Sequence, residues 1–212
     1  MDKFRLSDKA KKMPCGTIVY RIEALIDIPY WDVNKGDIGG FVEWEQNLSQ
    51  RENDYAWVGK DAVVMGRKTK VEGATIVTDD AIVQGDCLFS GAVRVSGDAH
   101  LMDVVLEGYQ IRIYGSVKLY DVSLKGNGTT IGGKAKIYNV HTISELTKLS
   151  ISGNVSIEGS KPLMLNGKRI AIRDNVVIEE GGEINGTDIH ISGKSNLIDG
   201  FKLKGTNIRI QD

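Results

Sequence analysis

Apolar residues in this chain fall into short apolar–x–apolar pairs that recur at six-residue intervals, most clearly from Gly85 to Leu124. Gly85, Gly91 and Gly97 are six residues apart, and Asp103 takes the next slot. Behind each glycine stands a pair, Cys87/Phe89, Val93/Val95 and Ala99/Leu101, with Leu88, Arg94 and His100 between the members. Such alternation is the period-two signature of a half-buried strand. Three residues followed by a corner is too short for a hairpin strand and suits one side of a coil. Glycine suits the corners, where the backbone turns through positive φ. A short fixed repeat of this kind predicts a solenoid.

The same pairs continue outside the clearest stretch, as Ala62/Val64, Ala81/Val83, Ile111/Ile113, Ile170/Ile172 and Ile189/Ile191. Three six-residue sides predict about 18 residues per coil, hence roughly eight coils stacked about 4.8 Å apart over residues 58–212. The spacing loosens after Asn139, and segments 141–148 and 181–186 are expected as loops or insertions. Residues 1–57 do not repeat and are expected to form an N-terminal cap. Within it, Ser7 and Asp8 predict the start of a short helix running to Met13 and ended by Pro14. Thr17–Leu25 alternates, with Ile18, Tyr20, Ile22 and Ala24 on one face, and predicts a strand. Lys35-Gly36-Asp37 and Gly39-Gly40 signal turns. Tyr30, Trp31, Phe41 and Trp44 are expected to plug the first coil, since a solenoid must cover its open ends. The fold class is therefore all-β, a single-stranded β-solenoid (β-helix) with a small cap.

Composition narrows the function classes. A formal net charge of −1 gives no global field for nucleic acid. No apolar run approaches the roughly 18 residues of a membrane span, and the first residues lack a signal-peptide apolar region. Cys15 and Cys87 are the only cysteines, and Cys87 falls on an inward position, where a buried free thiol is expected. These features point to a reducing, cytoplasmic setting.

Three stretches carry a resemblance to a known family: Tyr20-Arg21-Ile22-Glu23-Ala24-Leu25, Lys35-Gly36-Asp37-Ile38-Gly39-Gly40-Phe41-Val42-Glu43 and Asn47-Leu48-Ser49. They resemble the entry module of YdcK-like β-solenoid proteins of bacteriophages and prophages. Trp57-Val58 and the Gly-x-Ala-x-Val rungs that follow are similar to that family's repeats. The resemblance is specific over residues 17–66 and loose beyond about residue 126, where the rungs have few Gly-Asn-Ala corners. It implies a β-solenoid of phage or mobile-element origin, and it carries over no catalytic residues.

Candidate chemistry is sparse. The enzymatic alternative is a hexapeptide-repeat-type acyltransferase, in which a histidine acts as general base. His100 and His190 are middle residues of inward pairs and are expected to face outward, and His141 lies in an expected loop. No His/Cys/Asp grouping has zinc spacing. Gly193-Lys194-Ser195 resembles the end of a phosphate loop, but Asp188 holds the earlier glycine slot. Gly126-x-Gly128 opens like a dinucleotide fingerprint, but Ile131 holds the third glycine slot. No catalytic residue, cofactor or metal is expected.

The outward face is more informative. An 18-residue coil stacks Arg94 under Arg112, and His100 under Lys118 and Lys136. Such a ladder repels itself unless Asp98, Asp103, Glu107 and Asp121 neutralise it or a partner does. An acidic protein fits better than nucleic acid, because few aromatic residues interleave with these cations to stack bases. At the other end, Phe201, Leu203, Ile208 and Ile210 are still in rung register. They predict an open edge that pairs with a second copy as a homodimer seam, unless Lys202, Lys204 and Arg209 blunt it. The expected function is non-enzymatic: a phage or prophage solenoid in the host cytoplasm that binds a host protein or complex and inhibits a host defence machine. A phage structural or carbohydrate-binding module is the other alternative.

Overall fold

Strand Val93–Val95 pairs in parallel with Thr75–Val77 on one side and Ile111–Ile113 on the other, with Val93 opposite both Thr75 and Ile111. Both steps are eighteen residues, the coil length predicted from the sequence. This is a computed structural model. It describes residues 2–97, 100–101, 105–107, 111–116, 118–120, 123–125, 128–134, 136–138, 148–154, 156–158, 164–166, 168–175, 177–179, 183–185, 187–194, 196–197, 202–204, 206–207 and 209–211. Over these residues the chain is a β-solenoid of short parallel strands.

The solenoid has three sides. The first face runs from Ile38–Val42 through Val63–Met65, Ile82–Gln84, His100–Leu101, Lys118–Leu119 and Lys136–Ile137 to Asn196–Leu197. The second is a nine-stranded sheet from Trp57–Val58 to Arg209–Ile210. The third comprises a four-stranded sheet from Lys70–Val71 to Ser123–Lys125 and a three-stranded sheet of Met164–Asn166, Glu183–Asn185 and Lys202–Lys204. The strand at Glu183–Asn185 corrects the loop expected over 181–186: Ile184 is fully buried in the pleat although Gly and Glu precede it. The segment 141–147 lies outside the described residues. Around it the coil lengthens, with Thr129 opposite Leu149 and Leu149 opposite Ile170.

The inward pairs form the core. Ala62/Val64, Ala81/Val83, Cys87/Phe89, Ile170/Ile172 and Ile189/Ile191 are all fully buried. Thr69 and Thr75 also point inward, and their hydroxyls donate to corner carbonyls, Thr69 to Gly85 and Thr75 to Glu72 at 2.7 Å. A buried hydroxyl is tolerated when so satisfied. Between the second and first faces, one residue per coil turns through the left-handed region. Lys60, Asp79, Ser116, Lys134, Asn154, Asn175 and Lys194 do so with φ of 52–64°, and Gly97 with 73°. A Cβ at Gly97 would collide with the Gly115 Cα of the next coil, so that corner requires glycine.

The first coil begins inside the segment assigned to the cap. Phe41 and Val42 pair with Val63 and Val64, Leu48 bridges to Val71, and Trp57 pairs with Ile76. Gly39 and Gly40 are required here, because a Cβ would come 2.5 Å from the Val58 and Ala62 carbonyl oxygens respectively. Polar side chains stitch this coil to the next. Glu43 accepts from Gly66 N–H (2.8 Å), the buried Asn47 amide donates to the Gly66 and Thr69 carbonyls, and Asp54 accepts from Gly73 N–H (2.6 Å).

Before it stand two antiparallel strands, β1 (Phe4–Lys12) and β2 (Ile18–Ala24), and β2 pairs with β3 (Ile38–Val42) in the first face. β1 replaces the helix expected to start at Ser7. The register slips between Leu6 and Ala10, and within this bulge Ser7 Oγ accepts from Lys9 N–H at 3.3 Å. The local bond expected to cap a helix thus serves a bulge instead. β2 is also covered differently from expectation. Ile22 and Ala24 are buried, but Ile18 and Tyr20 are exposed at 49% and 37%, and Val19 on the opposite face is fully buried. Val19 joins Met13, Phe41, Val63 and Met65 in a small second core on the outer side of the first face. The aromatic plug is likewise corrected. Phe41 sits in that outer cluster, while Tyr30 and Trp44 are about half exposed. The largest fully buried apolar side chains of the entry module are Phe4, Ile22, Ile28 and Leu48.

Lys3 is fully buried, and its ammonium meets Asp54 Oδ1 and the Asp54 carbonyl at 3.3 and 3.2 Å. Asp54 Oδ1 also accepts from Ala56 N–H at 2.8 Å. Burial lowers the Lys3 pKa from 10.5, and Asp54 opposes that shift. No helix among the described residues is long and apolar enough to cross a membrane.

Asp54→Ala is expected to cost about 3–5 kcal/mol in urea unfolding, because it strands a buried ammonium and two backbone N–H groups. Lys3→Met is expected to cost less, since Asp54 keeps the N–H groups of Ala56 and Gly73. Because the folded-state pKa of Lys3 is depressed, the unfolded chain holds the extra proton between that value and 10.5. The Lys3 contribution to stability therefore rises with pH through this window and falls as pH drops. Unfolding wild type and Lys3→Met in parallel from about pH 7 to 11 checks the sign.

Cys87 is a buried thiol outside any disulfide, and Cys15 is exposed, where the Thr17 hydroxyl and then its backbone N–H hold the thiol below its ordinary range. A thiol reagent is expected to label Cys15 alone in the native protein, Cys87 only in urea, and Cys15 more slowly after Thr17→Val.

Candidate functional site

The site begins with a tight turn in the entry module. Ile28 and Val33 are buried and bridge one another, with Ile28 N–H to Val33 carbonyl at 2.7 Å. Pro29 opens a single 3₁₀ turn over Pro29–Trp31, closed by Asp32 in the left-handed region (φ 56°). Proline's fixed φ suits the first position of such a turn. The turn presents Tyr30 and Trp31 edge to face, with ring centroids 4.6 Å apart, and Tyr30 also stacks on Tyr55 at 5.4 Å.

These aromatics overhang the second face. Tyr30 and Trp31 form one wall of a cleft of about 530 Å³, and Ala92, Val93, Arg94, Ser96, Arg112 and Tyr114 form the rest. Arg94 and Arg112 are opposite one another in the parallel ladder, and both are exposed. Neighbouring strands put their backbones about 4.8 Å apart. Among the described residues no acidic residue lines the cleft. The indole N–H of Trp31 is buried without a hydrogen-bond acceptor among the described residues.

The other cations fall on the first face. His100 pairs with Lys118, and Lys118 with Lys136, so the eighteen-residue stacking is present there too. Lys118 and Lys136 are exposed, and Tyr120 and Tyr138, two positions after each, stack at 4.8 Å and 11°. The aromatic partners that seemed missing were legible as basic–apolar–Tyr triplets: Arg112-Ile113-Tyr114, Lys118-Leu119-Tyr120 and Lys136-Ile137-Tyr138. Tyr30 and Trp31 were not legible as site residues, because long-range packing of the turn places them there.

In the early coils Arg21 meets Asp61 at 2.5 Å, Lys60 meets Asp79 at 2.5 Å and Lys68 meets Asp86 at 2.7 Å. Among the described residues, Arg94, Arg112, Lys118 and Lys136 make no ion pair. Asp98, Asp103 and Asp121, weighed above as neutralising groups, lie outside the described residues.

The remaining candidates divide similarly. His190 is half-buried in the second face, opposite Ala171 and Arg209, and His141 lies outside the described residues. Among the described residues no group of three or more His, Cys, Asp or Glu is placed to hold a metal ion. Of the expected dimer seam, Leu203 and Ile210 lie in the last strands of the third and second faces, and Phe201 and Ile208 lie outside the described residues. No protein-family model and no curated protein matches this chain.

Because Arg94 and Arg112 repel one another across adjacent strands, Arg112→Glu is expected to stabilise the fold by about 0.2–1 kcal/mol. Urea midpoints at low and high salt check this: the gain should shrink as salt screens the pair.

Proposed function

We propose that this chain is a non-enzymatic binding protein of phage or prophage origin, a rigid solenoid that engages a host protein or complex in the host cytoplasm and inhibits a host defence machine. The phage origin rests on the resemblance of residues 17–66 to the YdcK-like entry module. The binding role rests on one observation: cations one coil apart, opposite each other in register and without ion pairs among the described residues. A self-repelling column lowers stability, whereas the early coils show that this chain readily places carboxylates beside cations. An acidic partner surface supplies the missing counter-charge and gains on-rate from it. The proposed homodimer seam lies at the strands Lys202–Lys204 and Arg209–Ile210, each of which has a single sheet neighbour among the described residues.

Affinity capture from host-cell extract tests the reading. A host protein retained by the wild type, and lost after Lys118→Glu with Lys136→Glu more completely at low than at high salt, is the expected result. Retention of the same protein by the reversed variant refutes the role of the first-face strip. Light scattering tests the seam, with a dimer expected to become monomeric on Ile210→Asp.

A further inference from the structure

The cleft under the Tyr30–Trp31 turn differs from the first-face strip in being concave and walled by aromatic rings. We propose that it binds a nucleoside phosphate, with Arg94 and Arg112 holding the phosphate groups and the rings of Tyr30, Trp31 and Tyr114 receiving the base. This deepens the reading above only in taking these two arginines as facing an anion; it does not require a protein partner.

Four observations carry it. First, Arg94 and Arg112 stand in register on adjacent strands, so two guanidinium forks arise from one small patch. Arginine's planar fork matches phosphate oxygens bidentately, and two forks suit a ligand with more than one anionic oxygen cluster. Second, among the described residues no carboxylate lines the cleft to compete for them. Third, three aromatic side chains, Tyr30, Trp31 and Tyr114, line the cleft with the arginines, and Tyr30 and Tyr114 are exposed at 53% and 39%. Exposed tyrosines beside cations offer stacking surfaces that every nucleobase can use. Fourth, the Trp31 indole N–H is a buried donor without an acceptor among the described residues, and a polar ligand atom reaching it would satisfy it. The cleft volume of about 530 Å³ is within the range of small-molecule sites. The fold builds the site from two directions, the ladder fixing the arginines and the Ile28–Val33 bridge fixing the turn.

The test uses the purified full-length protein, with ATP, AMP, inorganic pyrophosphate and a short oligothymidylate as separate probes, followed by calorimetry and tryptophan fluorescence. ATP is expected to bind and quench fluorescence, and AMP to bind more weakly. Pyrophosphate is expected to bind without the ring contribution, hence more weakly than ATP. Arg94→Ala and Arg112→Ala should each weaken ATP about tenfold or more. Arg94→Lys should recover only part of the loss, because the charge remains and the fork does not. Tyr114→Ala should weaken ATP and AMP while leaving pyrophosphate unchanged. Arg209→Ala, on the same face at its far end, should change nothing. No binding of ATP or AMP at millimolar concentration overturns the proposal. Pyrophosphate binding as tight as ATP overturns the base-stacking part. Oligothymidylate binding without mononucleotide binding replaces it with a nucleic-acid site. Loss of host-protein capture by Lys118→Glu with Lys136→Glu proceeds independently of all these outcomes, so failure of either reading is separately visible.

Discussion

Register is the constraint on which the rest of this structure depends. Each coil must hydrogen-bond to the coils above and below at strand spacing, so every position is repeated by its neighbour along a column. On the inside this demands apolar groups or satisfied hydroxyls, which Val64, Val83 and Thr75 supply. On the outside it brings residues of like type together whether or not they attract. Coils of seventeen to twenty-three residues are accommodated because insertions are absorbed at corners and leave the ladders intact. The left-handed residue at the corner between the second and first faces recurs from Lys60 to Lys194 for the same reason.

A solenoid must also begin somewhere, and the entry module shows how. Its antiparallel hairpin extends the first face instead of plugging the end with aromatics. Carboxylates and amides replace the missing preceding coil: Glu43, Asn47 and Asp54 each bind backbone groups of the coil that follows. Gln50 does the same in the other direction, accepting from Phe4 N–H and donating to the Phe4 carbonyl. The motif Gly39-Gly40 has a steric origin, since the next rung's carbonyls pass where side chains would be. The turn that carries Tyr30 and Trp31 is held by the same module, so the device that starts the rod also builds one wall of the cleft.

Much of this was legible in the sequence, and the rest was hidden for identifiable reasons. Ala62/Val64 and Ile170/Ile172 announced themselves because both inward slots are apolar. Thr69/Val71 and Thr75/Val77 did not, because a threonine that hydrogen-bonds a corner carbonyl looks polar in a pattern search. Ser7 signalled a helix start, but the same side-chain bond serves a bulge, and pairing with β2 decided between them. Stacking of Arg94 on Arg112 and of Lys118 on Lys136 followed from the eighteen-residue spacing alone. The cleft did not, because Tyr30 and Arg94 are brought together by tertiary packing across some sixty residues of chain.

The register itself is open to a direct chemical test. In a background with Cys15→Ser, Arg94→Cys with Arg112→Cys places two thiols opposite one another on adjacent strands. Their Cα atoms, about 4.8 Å apart, are within disulfide reach. Arg94→Cys with Thr130→Cys spans two coils, which exceeds the roughly 7 Å limit. Oxidation followed by mass spectrometry is predicted to give an intramolecular bridge in the first variant and free thiols in the second. A first variant that stays reduced, or a second that bridges as readily, would contradict the stacked columns.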